Sequence, residues 1–310
     1  MLKYIVRRIL MMIPVILGIS FLIFAIMNFT PGDPARLILG EAASNDDVQA
    51  LREEMGLNDN FFVRYFNYIK KAIGGDFGIS YRSKVPVYNE LFARFPSTLK
   101  LAFFSTILMV VVGMPLGIVS AVKQYSTVDN VSLVSAFLLT SMPAFWLGLM
   151  LILIFSLKLD WLPATGVDTW KHFILPCVTL AAAMMASLIR MTRSNMLEVI
   201  RQDYIRTAKA KGAGDNRVIY KHALRNALLP VITIIGMNFA SMLGGTMIIE
   251  SVFAMPGLGT MTITAVRMKD TPLVIASVVF VAVAISIMNL LVDILYTFID
   301  PRLRTQYAKR

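Results

Sequence analysis

The chain has 310 residues, of which 57% are hydrophobic and 16% are charged, and its mean hydropathy is +0.68. A soluble domain carries about 25% charged residues, so the composition excludes a soluble globular protein and indicates an integral membrane protein. The net charge of +11 does not indicate nucleic-acid binding, because the basic residues stand in short segments beside apolar runs.

In chain order, six apolar segments are long enough to span a bilayer, which takes about 20 residues per helix. They lie at about 9–29, 99–122, 131–157, 173–190, 227–250 and 272–298. The first follows basic residues, as in a signal peptide. However, its apolar stretch is longer than a signal core, and no small-x-small cleavage site precedes Thr30. We therefore predict an all-α membrane protein with six transmembrane helices, the first of them retained.

Basic residues are distributed unequally between the two faces. Six spans place both termini on one face, whose termini and short loops hold 17 Lys and Arg residues against four on the other. The first group is Lys3, Arg7, Arg8, Lys123, Arg190, Arg193, Arg201, Arg206, Lys209, Lys211, Arg217, Lys221, Arg225, Arg302, Arg304, Lys309 and Arg310. The second group is Lys158, Lys171, Arg267 and Lys269. Because Lys and Arg accumulate in cytoplasmic loops, we predict that both termini are cytoplasmic.

These assignments divide the chain into four parts. The predicted parts are a cytoplasmic N-terminus with helix 1 at 1–29, a long external loop at 30–98, a transmembrane core of helices 2–6 at 99–298, and a cytoplasmic tail at 299–310. Between helices 4 and 5, the core includes a cytoplasmic segment at 190–226, which we call the basic loop.

The external loop contains three local signals. Its Pro31-Gly32-Asp33-Pro34 sequence predicts a tight turn. The polar stretch from Asn45 to Met55 predicts a short helix capped by Ser44 or Asn45. An aromatic-rich amphipathic stretch from Phe61 to Ile69 is suited to the bilayer interface or to a partner protein.

The basic loop predicts two helices separated by a glycine turn. Glu198 to Lys211 lacks proline and glycine, and Gly212 is suited to the left-handed conformation that ends a helix. Asp215 is a candidate cap for a second helix, which we expect to end at Pro230. Such a basic hairpin fits either contact with anionic lipid or the binding of a soluble partner.

Several segments of the chain resemble one transporter family. The basic loop contains Asp203-Tyr204-Ile205-Arg206-Thr207-Ala208-Lys209-Ala210-Lys211-Gly212 and His222-Ala223-Leu224-Arg225-Asn226-Ala227-Leu228-Leu229-Pro230. Together they resemble the EAA loop of ABC importer permeases. Further similar segments are Gly75 to Ser80, Arg190 to Ser194, Pro256 to Gly259 and Asn289 to Asp293. The resemblance covers nearly the whole chain and is to the peptide/nickel family, within it to B-type dipeptide, oligopeptide and glutathione permeases.

The resemblance implies that the basic loop is a coupling helix, which docks in a groove of a separate ATPase subunit. Carried over by position, the motif falls on Arg206-Thr207-Ala208, on Gly212 and on His222 to Arg225. The predicted docking residues of the loop are Tyr204, Arg206, Thr207, Ala208, Lys209, Gly212, Arg217, His222 and Arg225. The chain departs from the general motif, because Arg206 stands where the motif has glutamate and Arg225 stands where it has proline. An ion-pair role for that glutamate is therefore not transferred. Small residues at Ala208 and Gly212 allow close approach, and the basic side chains are suited to acidic groups on the groove rim.

Inside the membrane, two kinds of residue are of interest. Small residues four apart favour close helix packing: Gly113 and Gly117 in helix 2, and Gly236, Ala240 and Gly244 in helix 5. Polar residues on the translocation path are predicted at Asn238, Ser241, Ser286, Asn289 and Asp293. We expect Asp293 to pair with Arg190 or Arg193, since an acid in a membrane helix faces protein or water. The resemblance further implies an external gate at Phe253, Pro256 and Gly257.

The sequence therefore predicts one transmembrane subunit of an ATP-driven peptide importer in a bacterial or archaeal plasma membrane. The implied partners are a second homologous permease subunit, two ATPase subunits that hold ATP and Mg, and an external substrate-binding protein. No Gly-x-x-x-x-Gly-Lys-Ser/Thr segment occurs in the chain, so we do not expect it to be an ATPase itself. We likewise predict no catalytic residue, no metal site and no cofactor of its own.

Three alternative functions remain at this point. A nickel or nickel-chelate permease would have a closely similar sequence. A self-sufficient secondary transporter would bury more ionisable residues at mid-membrane, where Asp293 is the one clear acid that we identify. An intramembrane enzyme would need a polar constellation, whereas His172 and His222 stand beside different apolar runs and Cys177 is the single cysteine.

Overall fold

The computed structural model describes residues 2–30, 32–40 and 42–299, which are mostly helical. The helices are α1 (Leu2–Phe29), α2 (Pro34–Leu39), α3 (Asn45–Glu54), α4 (Phe61–Ile73), α5 (Val87–Val122), α6 (Thr127–Ser141), α7 (Ala144–Leu151), α8 (Lys171–Ile200), α9 (Asp203–Ala210), α10 (Asp215–Arg217), α11 (Leu224–Val252), α12 (Leu258–Arg267) and α13 (Thr271–Ile299). π-helical segments extend α7 over Ile152–Lys158 and join α10 to α11 over Val218–Ala223. Pro31 and most of the predicted tail at 299–310 lie outside the described residues.

By length and composition, four continuous helices are able to cross a membrane, namely α1, α5, the helix that ends in α11, and α13. Two bent helix pairs bring the candidates among the described residues to six if each pair is one span. One pair is α6 with α7 and its π-helical extension, and the other consists of the two halves of α8. The predicted helical character is thus confirmed for the described residues, which contain four to six candidate spans.

The third predicted span, at 131–157, is not one straight helix. It is interrupted between Ser141 and Ala144, and the two parts are bent by 101°. The physical reason is Pro143, which has no N–H to donate and disfavours helical geometry at Met142. Met142 accordingly has an extended backbone, with φ −83° and ψ 127°.

The hydrophobic core is arranged along α5, whose 36 residues rise ~54 Å. Around its first turns, Val87 and Leu91 pack with residues of α12 and α13. Its middle packs in the largest cluster, against α8 and α11. Near its last turns, Ile118 and Ala121 pack with Ile205 of the basic loop. We call the end that contains Ile205 the basic end, and the other the opposite end.

Two predicted small-residue stripes lie at close helix contacts, which confirms their packing role. A Cβ atom on Gly117 would lie 2.8 Å from the Ile189 carbonyl oxygen of α8, and one on Gly113 would lie 3.1 Å from Met185 Cγ. On α11, a Cβ on Gly236 would lie 2.2 Å from Val292 Cγ2 of α13. The missing side chains therefore set how near these helices approach.

At the opposite end lies a small helical layer in which α2 packs on α3, while α4 packs on α1. Asp33 caps α2 by accepting a hydrogen bond from the Ala35 N–H at 3.0 Å, and it also pairs with Arg52 at 2.9 Å. Ser44 caps α3 by accepting from the Asp47 N–H, so the predicted cap is confirmed at Ser44. After this layer, α5 begins at Val87, earlier than the predicted start of the second span near residue 99.

Candidate functional site

The central element of the basic loop is α9, which stands between two helices of the bundle. It follows the end of α8 at Ile200 and precedes α10, which leads through the π-helical segment into α11. One side of α9 is anchored by Ile205, whose side chain is 1% exposed. Ile205 packs in a cluster with Ile118, Met196 and Val218, which belong to α5, α8 and the π-helical segment. Ile205 therefore packs α9 directly against three helical elements.

The predicted single helix from Glu198 to Lys211 is wrong. α8 ends at Ile200, and Gln202 adopts an extended backbone with ψ 150° before α9 begins at Asp203. No glycine or proline marks this break, so helix propensity offered no stop signal. Burial of Ile205 in the tertiary cluster sets the new helix direction.

The glycine that ends α9 behaves as predicted. Gly212 has φ +80°, and its N–H donates to the Lys209 carbonyl at 2.9 Å. The Ala213 N–H donates to the Ala208 carbonyl at 3.2 Å, which closes the last turn. Among the described residues, no atom beyond the neighbouring residues lies within 4 Å of a Cβ built on Gly212, so this turn is open to approach from outside.

The second predicted helix of the basic loop differs from the prediction at both ends. Gly214 occupies the N-cap position and Asp215 is the first helical residue, 3.4 Å from Lys209 in an exposed ion pair. The helix does not end at Pro230 but continues to Val252. Proline inside a membrane helix removes one backbone hydrogen bond, which such helices tolerate when neighbouring groups satisfy the freed carbonyl.

The structure gathers the predicted docking residues at the basic end. Side chains that reach outward are Tyr204, Arg206, Thr207, Lys209, Arg217 and Arg225, whereas Ala208 and His222 are half-buried. The Asn226 amide donates to the Tyr204 hydroxyl at 2.9 Å and thereby ties α9 to α11. Beside it, an open groove of about 450 Å³ is lined by Tyr220, Lys221, Leu224, Arg225 and Leu228. Arg206 makes only a 3.7 Å contact with the exposed Asp203, so its charge remains accessible.

A buried acid that the sequence analysis missed stands next to this site. Asp129 of α6 is 1% exposed and receives two hydrogen bonds from Arg193 of α8, at 2.7 and 2.8 Å. The Ser120 hydroxyl and the Tyr125 N–H also donate to it. This bidentate pair fastens α6 to α8 and to the last turns of α5.

The predicted pairing of Asp293 with Arg190 or Arg193 is wrong. Arg193 is bound to Asp129, and the Asp293 carboxylate lies 2.9 Å from the Arg8 guanidinium of α1. The contact falls outside hydrogen-bond geometry, so it is an ion pair without a directed bond. The reason is topological, since α13 packs beside α1 and the two charges meet along that contact.

At the opposite end, the turn after α11 is organised by Glu250, which the sequence analysis also missed. Glu250 is 1% exposed and accepts hydrogen bonds from the Thr98 hydroxyl at 2.6 Å and the Thr260 N–H at 3.1 Å. The Thr98 oxygen in turn accepts from the Leu258 N–H at 2.9 Å. The carboxylate therefore lies at the N-terminus of α12, where the helix dipole favours negative charge. The available signal was an acid at the last position of the predicted span 227–250.

The residues assigned to the external gate belong to this turn. Phe253 is buried and packs against Gly148 of α7, and Pro256 is half-buried. A Cβ on Gly257 would lie 2.3 Å from the Glu250 carboxyl group, so this glycine makes room for the acid. A helix, α12, follows where the sequence analysis considered only a loop.

Asp270 fixes the same end to the segment between α4 and α5. It is 1% exposed, receives a hydrogen bond from the Ser80 hydroxyl, and caps α13 through the Leu273 N–H. An acid before Thr271 and Pro272 is a recognisable cap signal. Burial raises the pKa of the nearby Tyr81 phenol to about 12, and the Asp270 charge adds to this shift. The phenol therefore stays neutral at physiological pH.

The predicted path residues lie on two different surfaces. Asn238 is half-buried between α5 and α8, 3.5 Å from Met109 Sδ and from Ser187 Oγ, whereas Ser241 is exposed. Ser286 and Asn289 are half-buried on α13, which packs against the Gly236 face of α11. The structure thus does not bring Asn238 together with the α13 residues.

Comparison with known proteins identifies the family. Residues 113–305 match the model described as "Binding-protein-dependent transport system inner membrane component", and residues 1–102 match its N-terminal companion. The chain is 44% identical to the oligopeptide transport system permease protein AppB of Bacillus subtilis, over 98% of this chain and 99% of that protein. It is 41% identical to the glutathione transport system permease protein GsiC of Escherichia coli K12, with the same coverage.

Solved structures agree at the level of the fold. The MetNI methionine ABC transporter in an inward-facing conformation matches with a TM-score of 0.59 and 17% identity, over 68% of this chain and 96% of that chain. An amino acid ABC transporter crystallised with histidines matches with a TM-score of 0.52. The chain therefore belongs to the family of inner membrane permease components of binding-protein-dependent ABC transport systems.

Proposed function

We propose that this permease component takes up peptides, with dipeptides, oligopeptides or a glutathione-like peptide as cargo. The support is that relatives named for oligopeptide and glutathione transport match along nearly its full length. In this proposal the chain forms half of the translocation pathway. A second homologous permease subunit forms the other half, two ATPase subunits hold ATP and Mg, and an external binding protein delivers the cargo.

We further propose a six-span topology in which the basic end is cytoplasmic and α2 to α4 are external. The excess of Lys and Arg in the termini and the basic loop supports this orientation. Each bent helix pair then counts as one span. The turn that holds Phe253, Pro256 and Gly257 lies on the external side, as expected for a gate.

The observation that carries the coupling assignment is the two-sided character of α9. Its inner side is locked to three helical elements by Ile205, while Arg206, Thr207 and Lys209 face outward beside the open Gly212 turn. In this proposal, a partner that displaces α9 from its outer side also displaces the helical elements that are packed on its inner side. The outward basic side chains are suited to acidic groups on an ATPase groove.

Reconstitution tests the proposed function directly. The chain, its second permease subunit, both ATPases and the binding protein are placed in proteoliposomes, and ATP-driven uptake is measured for di-, tri- and oligopeptides, glutathione and nickel. We expect uptake of at least one peptide class and none without the ATPases. Uptake of nickel alone would overturn the peptide assignment, and uptake without the ATPases would indicate a self-sufficient transporter.

Charge reversal at Arg206 tests the docking surface. Arg206→Glu should reduce retention of the ATPase subunits several-fold in low salt and less in high salt, because ions screen exposed charges. Lys158→Glu, an exposed basic residue outside the basic loop, is the matched control and should retain them at wild-type levels. A loss of retention that is independent of salt would argue against electrostatic docking.

A bulky residue at the glycine turn tests close approach. Gly212→Trp should leave the chain inserted but disconnect transport from ATP hydrolysis. Because Gly212 has φ +80°, Gly212→Asn is the control for backbone strain, since asparagine tolerates this conformation. Wild-type ATPase retention and substrate-stimulated hydrolysis in Gly212→Trp would refute the docking assignment.

A further inference from the structure

The helix α4 has three distinct faces. Toward α1 it presents Phe61, Tyr65 and Tyr68, which pack on phenylalanines of that helix. A second face carries large apolar side chains that are open in the structure: Phe62 and Phe66 are each 68% exposed and Ile73 is 84% exposed. A third face is polar and carries Asn67, Lys70 and Lys71. An exposed apolar face beside a basic one is typical of helices that lie in the plane of a membrane.

The contacts with α1 give the depth of α4. The Tyr65 hydroxyl donates to the Leu17 carbonyl at 3.0 Å and lies 2.8 Å from the Ser20 hydroxyl. Phe61 stacks on Phe29, at the last position of α1, with 6.4 Å between ring centroids. At 1.5 Å of rise per residue, Leu17 and Phe29 are ~18 Å apart along the helix. The contacts of α4 thus lie along the half of α1 that adjoins the opposite end.

A polar contact also joins α4 to the last turn of α1. Arg64 of α4 donates to the Asn28 side chain at 2.7 Å, one residue before the end of α1. The same guanidinium lies 6.0 Å from the centroid of the Phe24 ring. Arginine commonly places its charged group at the headgroup level while its stem lies along apolar surface. This contact therefore fixes the start of α4 beside the end of α1.

We propose that α4 is a membrane-surface helix of the leaflet at the opposite end, with Phe62, Phe66 and Ile73 in contact with lipid acyl chains. Its apolar face continues the exposed apolar surface of α1 at the same depth, where Leu22 is 61% and Ile26 is 58% exposed. A membrane-spanning helix exposes such residues to lipid, and α4 shares that environment. Lys70 and Lys71 face the phospholipid headgroups. This placement is independent of which cargo the transporter carries.

Site-directed spin labelling in the assembled transporter tests the proposal. Single cysteines replace Phe62, Phe66, Ile73, Asn67 or Lys71 in a Cys177→Ser chain, and the labelled complex is placed in phosphatidylcholine and phosphatidylglycerol vesicles. Collision with oxygen, which partitions into acyl chains, is compared with collision with a water-soluble nickel chelate. Leu22→Cys on α1 is the lipid reference, and Gln49→Cys on α3 is the water reference, since Gln49 is exposed.

We expect the oxygen-to-nickel collision ratio at positions 62, 66 and 73 to be several-fold higher than at 67 and 71, and close to the Leu22 reference. Ratios near the Gln49 reference at 62 and 66 would overturn the proposal, because α4 would then stand in water. Immobile labels shielded from both reagents would overturn it in favour of a protein partner on this face. Labels at exposed positions leave the fold intact, so each outcome is interpretable.

Discussion

At the scale of single residues, Glu250 shows how one buried acid organises a turn. Its carboxylate accepts hydrogen bonds from α5 and α12, and two glycines leave the space that it occupies. A hydrogen bond to a charged group contributes about 1.5–3 kcal/mol. Glu250 therefore links the start of the second span, the end of α11 and the start of α12 into one unit.

We predict that Gly257→Ala destabilises this unit because the new methyl group would lie 2.3 Å from the Glu250 carboxyl carbon. Gly257 has φ −111°, so alanine suffers no backbone strain there. In a Glu250→Ala background the same substitution should be tolerated, since the obstructing group is gone. Thermal unfolding of the wild type, the two single variants and the double variant measures the interaction between positions 250 and 257. Equal losses of stability from Gly257→Ala in both backgrounds would contradict steric exclusion by the carboxylate.

The ion pair between Arg8 and Asp293 leads to a second prediction. Arg8→Gln should lower the yield of folded protein, because it leaves the Asp293 carboxylate in a membrane helix without its cation. In the Arg8→Gln background, Asp293→Asn should restore much of the yield. We place the free energy of the ion pair at about 1 kcal/mol, because both side chains are partly exposed.

The specificity of this rescue is the informative control. Asp293→Asn should not rescue Arg193→Gln, since Arg193 is bound to Asp129. Detergent-extracted yield and thermal stability are measured for each pair of variants. Rescue of Arg193→Gln by Asp293→Asn would instead support the pairing that the sequence suggested.

At the scale of helices, the glycines of α5 set its distance from α8. A Cβ on Gly117 would meet the backbone carbonyl of Ile189 and the Cβ of Thr192, neither of which can move without shifting α8. On Gly113 it would meet Met185, a flexible side chain. Gly18 of α1 has no atom within 4 Å of the added position and serves as the matched control.

We therefore predict a graded response to alanine. Gly117→Ala should destabilise the protein by about 1–3 kcal/mol through overpacking, and Gly113→Ala should have a smaller effect. Gly18→Ala should be neutral or slightly stabilising, because alanine favours a helix over glycine by about 1 kcal/mol. The free energy of unfolding, measured in detergent for each purified variant, gives the order of the three effects. A Gly18→Ala loss as large as that of Gly117→Ala would show that steric contact is not the cause.

At the scale of the whole molecule, the two ends differ in construction. The basic end joins α5, α8 and α11 through the Ile205 cluster and the Asp129–Arg193 pair. The opposite end joins the same bundle to the segment between α4 and α5 through Asp270 and to α12 through Glu250. The two ends are therefore connected by the long helices α5, α8 and α11.

The proposed orientation is tested with cysteines at the two ends. Asp46→Cys on α3 should react with a membrane-impermeant maleimide in intact spheroplasts, whereas Gly214→Cys in the basic loop should react only in inside-out vesicles. Both positions are exposed, and a Cβ on Gly214 has no atom within 4 Å. The parent chain, whose Cys177 is buried, is the background control. The reverse pattern would contradict cytoplasmic placement of the basic end.

Most of the secondary structure was accessible from the sequence, together with the small-residue contacts and the Gly212 turn. These features depend on local patterns: apolar length, glycine spacing and the left-handed conformation that glycine permits. The break at Gln202 was not accessible, because no local residue signals it and burial of Ile205 decides it. The break at Pro143 was signalled by the proline itself, but Pro143 lies within the apolar segment 131–157, whose length predicted one span.

By itself, the sequence determined that the chain is a helical membrane protein with a basic loop between its fourth and fifth apolar segments. Only the tertiary structure decided the partner of each charged group. Arg8 pairs with Asp293, Arg193 with Asp129, and Glu250 with Thr98, although each pair is far apart along the chain. The physical reason is that periodicity reports which residues are apolar or polar along one helix. The partner of a buried charge depends on which helices are neighbours and on how each is rotated.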